Sequence, residues 1–165
     1  MSVEPADWDD PDVQRLTAAQ QAELRVRYDG AGEPGTPPSA ADVSVVLLAR
    51  DPDGTPVGCG ALRALESGVA EVKRMYVVPA ARGRGVSRRV LAALETAAAG
   101  RGWTTLRLET GPRQPEAIGL YESAGYRPIP AFGRYVDDPD AGCSLYYERV
   151  LGGPGGDVVG WPHER

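Results

Sequence analysis

A mixed α/β fold on one sheet follows from three features of the chain. Its 165 residues suit one domain, with 42% hydrophobic and 25% charged residues. Its segments switch between period-2 and period-3.6 patterns in the order helix, three strands, helix, strand, helix, two strands. Glycine (21) and proline (15) gather between these segments and in the last fourteen residues, so they mark loops and a tail.

Residues 11–28 contain good helix formers, with Asp12 near the start, and predict a first helix of weak apolar face. Residues 30–38 are mostly Gly or Pro and predict a loop. VSVVLLAR (43–50) and VGCGALRAL (57–65) read as a hairpin turning at Asp53-Gly54. A third strand, VAEVKRMYVV (69–78), alternates and stops at Pro79. The segment 82–100 carries one apolar stripe through Val86, Val90, Leu91, Leu94 and Ala98, with Gly100 as its stop. WTTLRLET (103–110) alternates as a strand. Pro115 suits the first position of a short helix ending at Gly125. Residues 126–129 and 144–151 read as the last strands, on either side of a loop with Asp137, Asp138 and Asp140. Residues 1–151 form the expected domain, and 152–165 are expected to be a disordered tail.

Composition excludes several chemistries. The single histidine, His163, lies in the tail, so a multi-histidine metal site is impossible and no metal is expected. Cys59 and Cys143 are expected to be buried, unpaired thiols in a cytoplasmic protein. Lys73 is the only lysine and no G-x-x-x-x-G-K-[ST] string exists, which excludes that phosphate loop. The N-terminus lacks the bases of a signal peptide, and no apolar run reaches membrane-spanning length.

Charge gives the first functional clue. The net charge is −5, yet Val72 to Leu94 hold six bases and no acid. An acidic chain with one basic island disfavours nucleic acid and suits a phosphorylated small molecule. Within the island, Arg82, Gly83, Arg84, Gly85, Val86, Ser87 and Arg88 sit between a β-branched strand and an amphipathic helix. Two glycines let the backbone approach a ligand, and the first helix amides lack intrahelical partners. Ringed by guanidiniums, such a turn predicts an anion cradle of pyrophosphate size.

This junction resembles the GNAT superfamily of acetyl-CoA-dependent N-acetyltransferases. The signature R/Q-x-x-G-x-G/A is matched by Arg82, Gly85 and Ser87, the last departing from the usual Gly or Ala. A second pattern, A-x-x-x-Y followed by G-[FY], is matched by Ala117, Tyr121, Gly125 and Tyr126. Gln114 stands where many members carry Asn. The resemblance covers residues 43–150 and implies a mixed, mostly antiparallel sheet flanked by helices. It implies direct transfer of an acetyl group from acetyl-CoA to the primary amine of a small molecule. It also sets the loop with Asp137, Asp138 and Asp140 at the acceptor entrance, where a negative rim would favour a cationic amine. A non-catalytic acyl-CoA sensor, or acetylation of a protein amine, is the alternative. A homodimer is compatible with it.

The resemblance also implies residue roles. The strand with Met75, Tyr76 and Val77 splays from its neighbour to bind pantetheine, and the Met75 amide polarises the acetyl carbonyl. Tyr121 protonates the departing thiolate. Glu71, eleven residues before Arg82, stands at the spacing of a general base in some members. Its ordinary alternative is an ion pair, and Glu109 competes for the role.

Overall fold

Strand alternation explains the layers. In the run from Val46 to Ala49, Leu47 and Ala49 enter one core, and Val46 and Leu48 enter another. The sheet is therefore apolar on both faces and must be covered twice. The computed structural model describes residues 1–30 and 34–152. Its order is β1 (Ser2–Pro5), α1 (Pro11–Arg27), β2 (Val43–Arg50), β3 (Pro56–Glu66), β4 (Val69–Val77), α2 (Val86–Gly100), β5 (Thr105–Thr110), α3 (Pro115–Ser123), β6 (Arg127–Ile129) and β7 (Leu145–Val150).

The sheet runs β1-β2-β3-β4-β5-β7-β6. Every neighbouring pair is antiparallel except β4 with β5. That parallel step needs a crossover, and α2 supplies it. Its stripe of Val90, Leu91, Leu94 and Ala98 is buried against Leu62, Val72, Leu106 and Leu108 in the larger core. On the opposite face α1 buries only Val13, Leu16 and Thr17, which explains its weak apolar signal. Val13 and Leu16 pack on Val46, Leu48, Cys59 and Ala61.

One strand stands outside the sequence expectation. Strand β1 is an edge strand of four residues, paired from Ser2↔Arg50 to Pro5↔Leu47. It is too short to carry a readable period. Helix α2 starts at Val86, where the sequence places it, after a 3-10 turn at Pro79–Ala81 and left-handed Gly83 and Gly85. Gly152 is the last described residue, so the expected tail from 153 onward lies outside the described residues.

Strand β4 contains a bulge. Cys59 pairs with Tyr76 and Ala61 with Lys73, so Arg74 and Met75 together face Gly60. Arg74 takes φ 59°, an uncommon value for a residue with a side chain. Gly60 fits the bulge by having none: a Cβ there would lie 2.7 Å from Met75 Sδ and 2.9 Å from Leu94 and Val90.

Burial pushes the Cys59 thiol up from its usual 9.0 to about 12. Between those values the unfolded thiol ionises while the folded one keeps its proton. Its contribution is therefore fully present below pH ~9 and is lost as pH rises toward 12. Urea titrations between pH 8.5 and 11 should show stability falling by up to about 1.4 kcal/mol per pH unit from this group. Cys59→Ala should flatten the slope by that amount.

Candidate functional site

The parallel pairing of β4 with β5 spans only Val69 to Glu71 against Thr105 to Arg107. Beyond it, Val72 to Val77 border a cleft of about 710 Å3. Helix α1 lines it with residues from Gln20 to Tyr28, and the segment from Glu109 to Tyr121 lines it from β5 and α3. Met75, Tyr76 and Val77 are brought to this cleft, as are Arg82, Gly83, Gly85, Val86, Ser87, Gln114 and Tyr121.

The turn before α2 has the geometry of an anion cradle. Gly83 and Gly85 adopt φ 79° and 77°, and no atom lies within 4 Å of where either Cβ would stand. No side chain caps α2, so the amides of its first turn remain available to a ligand. The guanidiniums differ from the expected ring. Arg82 donates from Nε to the Val77 carbonyl (3.0 Å), pairs with Glu23 (2.7 Å) and lies over the Tyr76 ring. Arg84 is paired with Asp51 at 2.5 Å, and Arg88 donates to Ser123 Oγ at 2.7 Å. Of these three, only Arg82 lines the cleft.

Gln114 precedes Pro115 at the start of α3, and its Oε1 accepts from the Gly111 amide (3.0 Å) and the Tyr28 hydroxyl (3.3 Å). The Tyr28 hydroxyl in turn accepts from the Arg113 amide (3.1 Å). The end of α1 is thus tied across the cleft to the loop after β5. The sequence offered no sign of this tie, because Tyr28 sits 85 residues before Arg113.

One turn and a half into α3, Tyr121 is 6% exposed and meets the Tyr126 ring edge-on at 5.7 Å. Burial first, then the negative field of Glu109, raises its pKa above the usual phenol value. Its proton is therefore held throughout the neutral range. Glu109, at the end of β5, shares the cleft with it.

Glu71 lies elsewhere. It is 1% exposed and does not line the cleft. Its Oε1 accepts from Arg63 Nη2 (2.8 Å) and Nε (3.0 Å), and its Oε2 accepts from the Tyr135 hydroxyl (2.5 Å). Lys73 Nζ donates to the same hydroxyl at 3.2 Å. Arg63 and Glu71 are direct partners in the β3–β4 register, which sets this pair.

The acid loop also differs from the expected negative rim. Asp138 accepts from the Gly35 amide (2.6 Å) and the Asp140 amide (2.8 Å), and only Asp140 of the three aspartates lines the cleft. Around the cleft, Arg25, Arg27, Lys73, Arg74, Arg82 and Arg113 outnumber Glu23, Glu109, Glu116 and Asp140. Among the described residues no group of three His, Cys, Asp or Glu stands ready for a metal, and no helix is long and apolar enough to cross a membrane.

Comparison with known proteins agrees with this architecture. Residues 8–126 match the model of the acetyltransferase (GNAT) family. The chain is 44% identical over 106 residues to an IAA acetyltransferase of Azospirillum brasilense, covering 64% of this chain and 67% of the relative. A solved structure from Klebsiella pneumoniae subsp. pneumoniae MGH 78578, the "putative acyl-CoA N-acyltransferase", superposes with a TM-score of 0.77 at 37% identity. That match covers 91% of this chain and 97% of the other. The PaiA N-acetyltransferase of Thermoplasma acidophilum, solved with coenzyme A, shares the fold at a TM-score of 0.66 and 16% identity, over 92% of this chain and all of that one. With the family model spanning most of the chain and the fold shared over nearly its whole described length, the chain belongs to the GNAT acetyltransferase family.

Proposed function

We propose that the protein transfers the acetyl group of acetyl-CoA directly to the amine of a small molecule. The observation that carries this reading is the cleft itself: it joins an uncapped helix start, an unpaired strand flank and a buried tyrosine beside a carboxylate. When bound, acetyl-CoA supplies a thioester whose acyl group is the one transferred. The amides of Val86 and Ser87 and the Arg82 guanidinium suit its phosphates. The flank from Met75 to Val77 suits its pantetheine arm, with the Met75 N–H as the donor to the acyl oxygen.

The remaining chemistry is proton management. The acceptor nitrogen forms the C–N bond as the C–S bond breaks. Glu109, directly or through water, takes the proton that the nitrogen loses, and Tyr121 gives one to the departing sulfur. Glu109 is favoured over Glu71 because it borders the cleft, whereas Glu71 is engaged by Arg63 and Tyr135. The test is thiol release from acetyl-CoA against a panel of amines. Release that depends on an amine, with the acetylated product found by mass spectrometry, supports transfer. Tight coenzyme A binding without turnover on any amine would favour a sensor.

The phosphate contacts make a separate prediction. Arg82→Ala should weaken coenzyme A binding about tenfold or more, since a charge-assisted hydrogen bond is worth about 1.5–3 kcal/mol. Arg84→Ala should change it by less than about threefold, because that guanidinium is spent on Asp51 away from the cleft. Calorimetry on the two variants checks the difference.

A further inference from the structure

We propose that Cys59 is a positioning residue for acyl transfer: its thiol holds the Arg74 carbonyl, and thereby aims the Met75 amide at the other end of the same peptide unit. The inference rests on the Met75 reading given under Proposed function. Cys59 Sγ lies 3.3 Å from the Arg74 oxygen and donates to it. The carbonyl of Arg74 and the N–H of Met75 belong to one planar trans peptide, in which the two groups point in opposite directions. A tether on the oxygen therefore sets the direction of the N–H.

The bulge needs such a tether. A strand residue at φ 59° is held only where its surroundings over-determine it, and the bulge leaves two residues of β4 opposite one of β3. The next carbonyl along is tethered as well. Gln20 Nε2, reaching from α1, donates to the Met75 oxygen at 2.8 Å. The peptide units on either side of Met75 are thus clamped from two elements, β3 and α1, while Met75 itself borders the cleft. Preorganised donors stabilise developing charge most when they need not reorient, so loosening either clamp should reach kcat before it reaches binding.

Cys59 also has the right chemistry for a permanent donor. It is 2% exposed among Val13, Leu16, Val46, Leu48 and Ala61, and burial keeps its proton in place far above neutral pH. Nothing around it offers a partner cysteine, since Cys143 is exposed. A packing role alone would be served equally by any small residue, which gives the test its form. Ala and Ser both remove the sulfur volume, but Ser keeps a donor.

Cys59→Ala should lower kcat about tenfold with coenzyme A affinity within about twofold of wild type. Cys59→Ser should recover kcat to within about threefold. Equal losses in the two variants, or no loss in Cys59→Ala, would overturn the inference. If Cys59→Ala does not fold, Gln20→Leu tests the second clamp and should likewise lower kcat; an unchanged kcat there counts against the clamp. A readout independent of turnover comes from the infrared carbonyl stretch of bound [1-13C]acetyl-CoA without acceptor. Wild type should shift it to lower frequency than in solution, and Cys59→Ala, or Gln20→Leu in its place, should shift it less. No shift in wild type would remove the Met75 reading itself. A full wild-type shift retained in the variant would remove only the clamp.

Discussion

Tyr121→Phe is expected to lower kcat by about 10²–10⁴ while coenzyme A affinity stays within about threefold. The ring remains, so its edge-on contact with Tyr126 and its place in the larger core remain too. Only the hydroxyl is lost. Burial and the nearby Glu109 carboxylate keep that hydroxyl protonated, so a proton is in place when the departing sulfur develops negative charge beside it. A loss in kcat and kcat/KM together would mark an interaction made in the transition state. Turnover within a few-fold of wild type would make Tyr121 a packing residue, and the thiolate would then take its proton from water.

The parts of this site legible in the sequence are those whose roles reside in a local run of residues. The turn from Arg82 to Ser87 is contiguous, and its two glycines, the strand before it and the stripe after it can be read without a fold. Tyr121 was readable for the same reason, through its spacing from Ala117 and Gly125. What the chain hid was long-range pairing. Arg84 looks like a phosphate ligand until Asp51, 33 residues earlier, is found against it. Glu71 looks like a base on a strand facing the cleft until the β3–β4 register brings Arg63 beside it. Cys59 read as an inert buried thiol because the bulge that gives it a partner exists only once β3 and β4 are paired. The edge strand β1 was missed for a different reason: four residues carry too little pattern to be seen.

The pairing of Glu71 and the exposure of Glu109 to the cleft lead to opposite expectations for two formally identical changes. Glu71→Gln removes the nearer of two carboxylates that compensate Arg63, a side chain 10% exposed, leaving Asp42 at 3.5 Å, and takes the charged acceptor from the Tyr135 hydroxyl. Removing one partner of a buried ion pair costs about 3–5 kcal/mol, because the other charge stays desolvated. Arg63 also donates to the Thr36 carbonyl at 2.6 Å, and Tyr135 is 4% exposed in a small core with Phe132 and Tyr146. The loss should therefore appear as a lower urea midpoint for the whole domain. Once folded, the variant should turn over within about threefold of wild type at temperatures well below its transition. Glu109→Gln should do the reverse. Its side chain stands at the end of β5 on the cleft wall, so stability should change by less than about 1 kcal/mol, the ordinary size for a half-exposed substitution. Its kcat should fall by about 10²–10⁴, the ordinary worth of a general base. If Glu71→Gln is stable and inactive while Glu109→Gln is active, the base lies in the buried network. The proton would then have to leave the cleft by a relay such as Lys73 and the Tyr135 hydroxyl, which joins Glu71 to the cleft wall.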